Sequence, residues 1–133
     1  MPTHLHKNDQ SSCRSFSNPD ETRPFEDKGQ LKVINFPDGT SIGQGIFEPG
    51  WKWSTHVKPL ADTESCEADH HGYCISGNMV VQMNDGEKIE IHPGDVFSIP
   101  PGHDAWVIGN EKCVLLDVTG YKEYAVKKKD IAA

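Results

Sequence analysis

The stretch from His70 to Val118 reads HHGYCISGNMVVQMNDGEKIEIHPGDVFSIPPGHDAWVIGNEKCVLLDV, a series of short apolar runs cut by turn residues. Six runs follow one another: HHGYCISG, NMVVQMN, EKIEI, DVFSIP, HDAWVI and KCVLLDV. Among the breaks are Asp85-Gly86, Pro93-Gly94 and Pro101-Gly102, where Pro presets φ and Gly supplies the positive φ that tight turns need. Apolar and polar residues alternating over a few positions mark a half-buried strand. The succession predicts an all-β fold, closed as a barrel or as a double-sheet jelly roll.

Upstream the same rhythm holds. LKVINF from Leu31 is stopped by Pro37-Asp38-Gly39, and IGQGIFE from Ile42 by Pro49-Gly50, which predicts two further strands. WKWSTHVK from Trp51 reads as a third, followed by a polar, acid-rich loop from Pro59 to Asp69, long enough to sit over a site. Between Leu31 and Thr119 no segment keeps apolar residues at helical spacing for three turns. Residues 1–20 are rich in Ser, Asn, His and Asp and poor in large apolar side chains, and read as a flexible N-terminal arm. Residues 21–133 read as one barrel domain with a core over about 31–119 and a short helix after Tyr121. A chain of 133 residues has room for one domain and little else.

Composition narrows the partners. A formal charge of −7 repels phosphate backbones, and the only run of bases is Lys127, Lys128 and Lys129, so nucleic acid is not expected. The first ten residues hold no apolar core for a signal peptide and no run is apolar enough for a membrane span, from which a cytoplasmic protein is expected. Cys13, Cys66, Cys74 and Cys113 form no C-x-x-C pair and are read as thiols of a reducing compartment. Unpaired edge strands of such a fold give a physical motive for a homodimer.

Strand geometry sends alternate side chains to one face, so parity tells which groups converge. In WKWSTHVK, His56 shares a face with Ser54 and Lys58, while Trp51, Trp53 and Val57 take the other. In HHGYCIS, His70 goes with Cys74 and Ser76; beyond Gly102, His103 goes with Ala105 and Val107, opposite Asp104 and Trp106. His71 and His92 face solvent, and Cys74, Met79, Val81 and Met83 line the interior. Three histidines, His56, His70 and His103, can therefore meet inside one barrel. Imidazoles are common ligands of divalent first-row metals, and three of them leave positions open for water or substrate. The same residues can equally be hydrogen-bonded core histidines.

These residues resemble the cupin family. Its first motif, G-x5-H-x-H-x3,4-E-x6-G, can be laid on Gly50, His56, His70 and Gly77, and its second, G-x5-P-x-G-x2-H-x3-N, on Gly94, Pro100 and Gly102. The resemblance covers Leu31 to about Thr119 and looks like a small stand-alone cupin. It implies a double-stranded β-helix with a metal inside. The chain departs from the motifs at Lys58, where the family has its second histidine, at His70, where it has glutamate, and at Ala105, where it has the last histidine, His103 standing two residues earlier.

The expectation that follows is one divalent ion (Fe, Zn, Mn, Ni or Cu) held by His56, His70 and His103, with Cys66 of the intervening loop as a further soft ligand. Lys58 would orient an anionic group of a small polar molecule, and the acidic loop from Asp62 to Asp69 would act as a lid. By resemblance, a dioxygenase is the leading enzymatic reading. The alternatives are a small-ligand sensor or storage cupin without metal, and a structural dimer whose barrel is packed shut.

Overall fold

The computed structural model describes residues 11–118. Among them run nine strands: β1 (Glu21–Pro24), β2 (Gly29–Asn35), β3 (Ser41–Phe47), β4 (His70–Ser76), β5 (Asn78–Met83), β6 (Lys88–Ile91), β7 (Val96–Ile99), β8 (His103–Ile108) and β9 (Cys113–Asp117). They form two antiparallel sheets, one in the order β1-β2-β3-β9-β4-β7 and the other β6-β5-β8. The all-β jelly-roll expectation is met, and every predicted strand but one is present. The N-terminal histidines, the lysine run and the expected C-terminal helix lie outside the described residues.

The exception is WKWSTHVK. Instead of a strand it forms two single-turn helices, α1 (Trp53–His56) and α2 (Lys58–Ala61). The reason is visible in its apolar spacing: Trp53, Val57 and Leu60 fall at i, i+4 and i+7, and all three are buried. Each such burial is worth about 1.5–3 kcal/mol, enough to override the β propensity of this segment. Local hydrogen bonds close the turns. His56 Nδ1 accepts from the Lys52 N–H at 3.0 Å, and Asp104 Oδ1 accepts from the Ser54 N–H at 3.0 Å. Pro59 sits in the first turn of α2, where its missing N–H costs nothing.

The core lies between the two sheets. Leu31 and Val33 of β2, Phe47 of β3, Cys74 of β4, Met79 and Val81 of β5, and Cys113 and Leu115 of β9 are all buried inside it. Phe25, Phe47 and Trp51 cluster at one end, with the Phe47 and Trp51 ring centroids 4.5 Å apart and edge to face. Ahead of β1, the Arg14 guanidinium pairs with Asp20, whose carboxylate also accepts from the Asn35 N–H. All four cysteines are free thiols.

Close approach of β4 and β9 is what brings the two sides of the cavity together, and Gly72 permits it. Gly72 stands opposite Asp117, and a Cβ there would lie 1.8 Å from the Leu116 carbonyl oxygen and 2.9 Å from the Phe97 ring. Neither obstacle is a flexible chain end. Gly72→Ala is therefore expected to destabilise the protein by about 1–3 kcal/mol, read as a lower denaturation midpoint in urea; an unchanged midpoint would show that β4 and β9 do not need this contact.

Candidate metal and ligand site

Cys66, His70 and His103 converge. Their ligating atoms lie within 4.8 Å of one another, with Cys66 Sγ 3.6 Å from His70 Nε2 and the two imidazole centroids 5.3 Å apart. Each residue arrives by a different route. His70 opens β4 and His103 opens β8, and the parity predicted for both strands holds: His103, Ala105 and Val107 are buried, while Tyr73 and Ile75 face out. Cys66 comes from the loop, which is stapled to β8 rather than left free. Its N–H donates to the His103 carbonyl at 2.7 Å, and its own carbonyl accepts from Gly102 and His103. Ser65 adds a side-chain link, its hydroxyl accepting from Asn84 Nδ2 and donating to Glu67. The loop expected to act as a lid is, at Ser65 and Cys66, a buried wall.

The far nitrogen of each imidazole is already engaged. His103 Nδ1 donates to the Pro100 carbonyl at 2.9 Å, and His70 Nδ1 lies 2.5 Å from Asp117 Oδ2. That leaves both Nε2 atoms for the interior. An imidazole oriented by a carboxylate or carbonyl, with its other nitrogen presented to a shared point, is the usual outer arrangement of metal-binding histidines. The charges respond to this crowding. Burial pushes the Cys66 thiol up, but hydrogen bonds from His103 and His70, together with their charge, outweigh it and bring the thiol down to about 7. For His70 burial favours the neutral ring, yet Asp117 and Cys66 together raise it to about 9.

Around these groups is a cavity of about 50 Å³, walled by Leu31, Phe47, Trp51, Trp53, Met79, Val81, Phe97, Ile99 and Leu115, with Cys66, His70, His103 and Asp117 on one side. The interior is not packed shut. Trp51 and Trp53 line this cavity, a correction to the reading that placed them opposite the ligands: their grouping with Val57 holds, but the turn into α1 presents their face, not that of His56, to the interior. Trp106 does lie on the outer face, beneath the ammonium groups of Lys52 and Lys88.

The same turn carries off two predicted residues. His56 is not part of the cluster: its ring folds back onto its own helix to cap Lys52. Lys58 does not point into the barrel either; its Nζ pairs with Glu64 at 2.8 Å, beside a separate surface groove lined by Ser54, Pro59 and Asp62. His71 and His92 are exposed, as parity indicated, near Ser98 and Asn78 respectively. Asp117 was missed. Its signal lay in KCVLLDV, where Cys113, Leu115 and Asp117 share parity, which sets a carboxylate on the face of two core residues.

Among the described residues no helix is long and apolar enough to cross a membrane. The family model described as a cupin domain matches residues 61–119, the segment that supplies Cys66, His70, His103 and Asp117. No curated protein matches the chain by sequence. Among solved structures, a protein of unknown function from Rhizobium leguminosarum bv. viciae superposes with a TM-score of 0.58 at 17% identity, covering 83% of this chain and 96% of that one. A second protein of unknown function, from Acidithiobacillus ferrooxidans, gives 0.54 at 14% identity over 86% and 97% of the two chains. A mutant of the Bacillus subtilis oxalate decarboxylase gives 0.55 at 17% identity, over 87% of this chain and 32% of that one. These likenesses concern the fold.

The His70–Asp117 pair sets a pH dependence in the metal-free protein. Because His70 is raised from its ordinary 6.5 to about 9, its contribution to stability is fully present below about pH 6.5 and is lost as the pH climbs through 9. Parent protein should thus exceed Asp117→Asn in unfolding free energy at pH 6, with the gap shrinking by pH 10. A gap that stayed constant or widened would contradict the assignment.

Proposed function

We propose that this chain, a member of the cupin superfamily, holds one divalent metal ion through Cys66, His70 and His103 and binds a small molecule in the cavity beside it. The observation that carries the proposal is the convergence of one thiol and two oriented imidazoles within 4.8 Å at a cavity whose other walls, Asp117 apart, are apolar. The donor set fits the group. A thiolate with two neutral imidazoles suits Zn²⁺, Fe²⁺ or Cu ions, and three protein ligands leave coordination positions open. An ion so held supplies Lewis acidity or, if redox-active, oxygen chemistry.

The protein's own residues do the rest. Asp117 fixes the His70 ring and raises its basicity, Pro100 fixes the His103 ring, and the backbone of β8 holds Cys66 in place. Phe47, Trp51, Phe97 and Ile99 keep bulk water from the ligand atoms. Oxygenation is the enzymatic form of this reading, and ligand binding without turnover is its alternative; oxygen uptake on a panel of small metabolites separates them. A cytoplasmic homodimer belongs to the same proposal. The support for pairing is the edge strand β7, where Val96 is 81% exposed and stands beside the exposed Tyr73 of β4.

A second reading has one observation of its own. Asp117, His70 and Cys66 follow one another as carboxylate, imidazole and thiol, the order of an activated cysteine nucleophile. Metal content decides between the two. Untagged protein purified without oxygen should carry close to one metal per chain by elemental analysis. Cys66→Ala, His70→Ala and His103→Ala should lose most of it while keeping the far-ultraviolet signature of the β fold, and His56→Ala should keep it. Parent protein that stays empty after reconstitution would favour the nucleophile and sink the metal reading.

A further inference from the structure

Strand β3 turns Gly43, Gly45 and Phe47 toward the interior, and only the last has a side chain. The Phe47 ring folds back along its own strand into the space that Gly45 leaves. A Cβ on Gly45 would stand 2.4 Å from Phe47 Cε2 and 2.6 Å from Cζ, so the ring can lie there only over a glycine. Leu31 of β2 and Leu115 of β9 flank Gly45 in the sheet, and both line the cavity. The ring therefore covers the middle of this wall, not its rim. One inward position along β3, about 7 Å away, Gly43 pairs with Asp117, which stands behind His70.

The ring is held from behind as well. Phe25 stacks on it with centroids 5.4 Å apart and planes at 22°, and Trp51 meets it edge to face at 4.5 Å. Phe25 is buried and does not line the cavity, so Phe47 is a partition between the chamber and the apolar residues beyond it. Packing this close yields little to an incoming molecule. The chamber that remains is small: a water needs roughly 10–15 Å³ of such space, so about 50 Å³ admits only a few non-hydrogen atoms.

We propose that Phe47, seated on Gly45, is the residue that limits the size of the ligand, admitting to the metal a molecule of a few non-hydrogen atoms and rejecting bulkier ones with the same donor group. This rests on the metal reading above and adds to it the substrate's size and the side chain that sets it.

The test uses two carboxylates on the full chain loaded with cobalt(II), its metal content measured on the same sample. Acetate and pivalate share a donor group and nearly the same basicity; pivalate carries a tert-butyl group in place of the methyl. Each is titrated against the visible absorption of the bound cobalt. An open apolar chamber would favour pivalate, by about fourfold for each added methyl group that it buries. A chamber closed by Phe47 should reverse that order: acetate shifts the spectrum and saturates, and pivalate binds about tenfold more weakly or worse, the cost of overfilling a packed space. Phe47→Ala should keep the cobalt and shrink the preference for acetate by about tenfold, because the lost ring leaves a cavity that its neighbours fill only in part. Phe47→Leu, a milder change, should shift the preference the same way by a smaller amount. The titration of the parent protein carries the test even if neither variant folds. Pivalate binding as tightly as acetate in the parent, a spectrum that acetate does not move, or a preference unchanged in folded variants would overturn the inference while leaving the metal site standing. A sample that takes up no cobalt would overturn the metal reading and the inference with it.

Discussion

Cys66 and His103 are joined by backbone hydrogen bonds in both directions, one at 2.7 Å and its return at 3.2 Å, and Gly102 adds a third at 2.7 Å. Through this short antiparallel bridge the loop after α2 becomes a wall of the barrel. Without it the thiol would sit on an exposed acidic segment, where loop entropy opposes any fixed geometry. With it, Cys66 faces two imidazoles from strands of different sheets. The barrel supplies two of the three donors on rigid elements, and the bridge lends the third the same rigidity.

Electrostatics explains why so apolar a chamber tolerates this cluster. A buried imidazolium or thiolate alone would be costly, yet each has its opposite beside it, and the carboxylate of Asp117 anchors the chain of contacts from behind. Protons and a metal ion then compete for the same lone pairs, since binding requires Cys66 ionised and His70 neutral. The position of Asp117 is in turn a consequence of Gly72, whose missing side chain lets β9 lie against β4.

Most of the fold was legible because period-2 alternation and Gly-containing turns occur together from Leu31 to Val118. His70 and His103 could be placed facing inward for the same reason, and both are found so. The failure at WKWSTHVK has one cause. Trp51, Trp53 and Val57 satisfy strand parity, but Leu60 completes a helical i, i+4, i+7 series that spans only two turns, and tertiary burial of that series decides the matter. His56 and Lys58 left the predicted site with it. The role of Cys66 rests on a backbone pairing between residues 37 apart in sequence, which no local pattern encodes. Asp117 was encoded, as a charged residue at a core-facing position of β9.

The central claim is that sulfur and two imidazole nitrogens share one ion. X-ray absorption at the K-edge of the metal found in the purified protein reads that shell directly. The account predicts one sulfur at about 2.3 Å with two imidazole nitrogens at about 2.0–2.1 Å if the ion is zinc, and loss of the sulfur in Cys66→Ser. A shell of nitrogen and oxygen alone in the parent protein would contradict it.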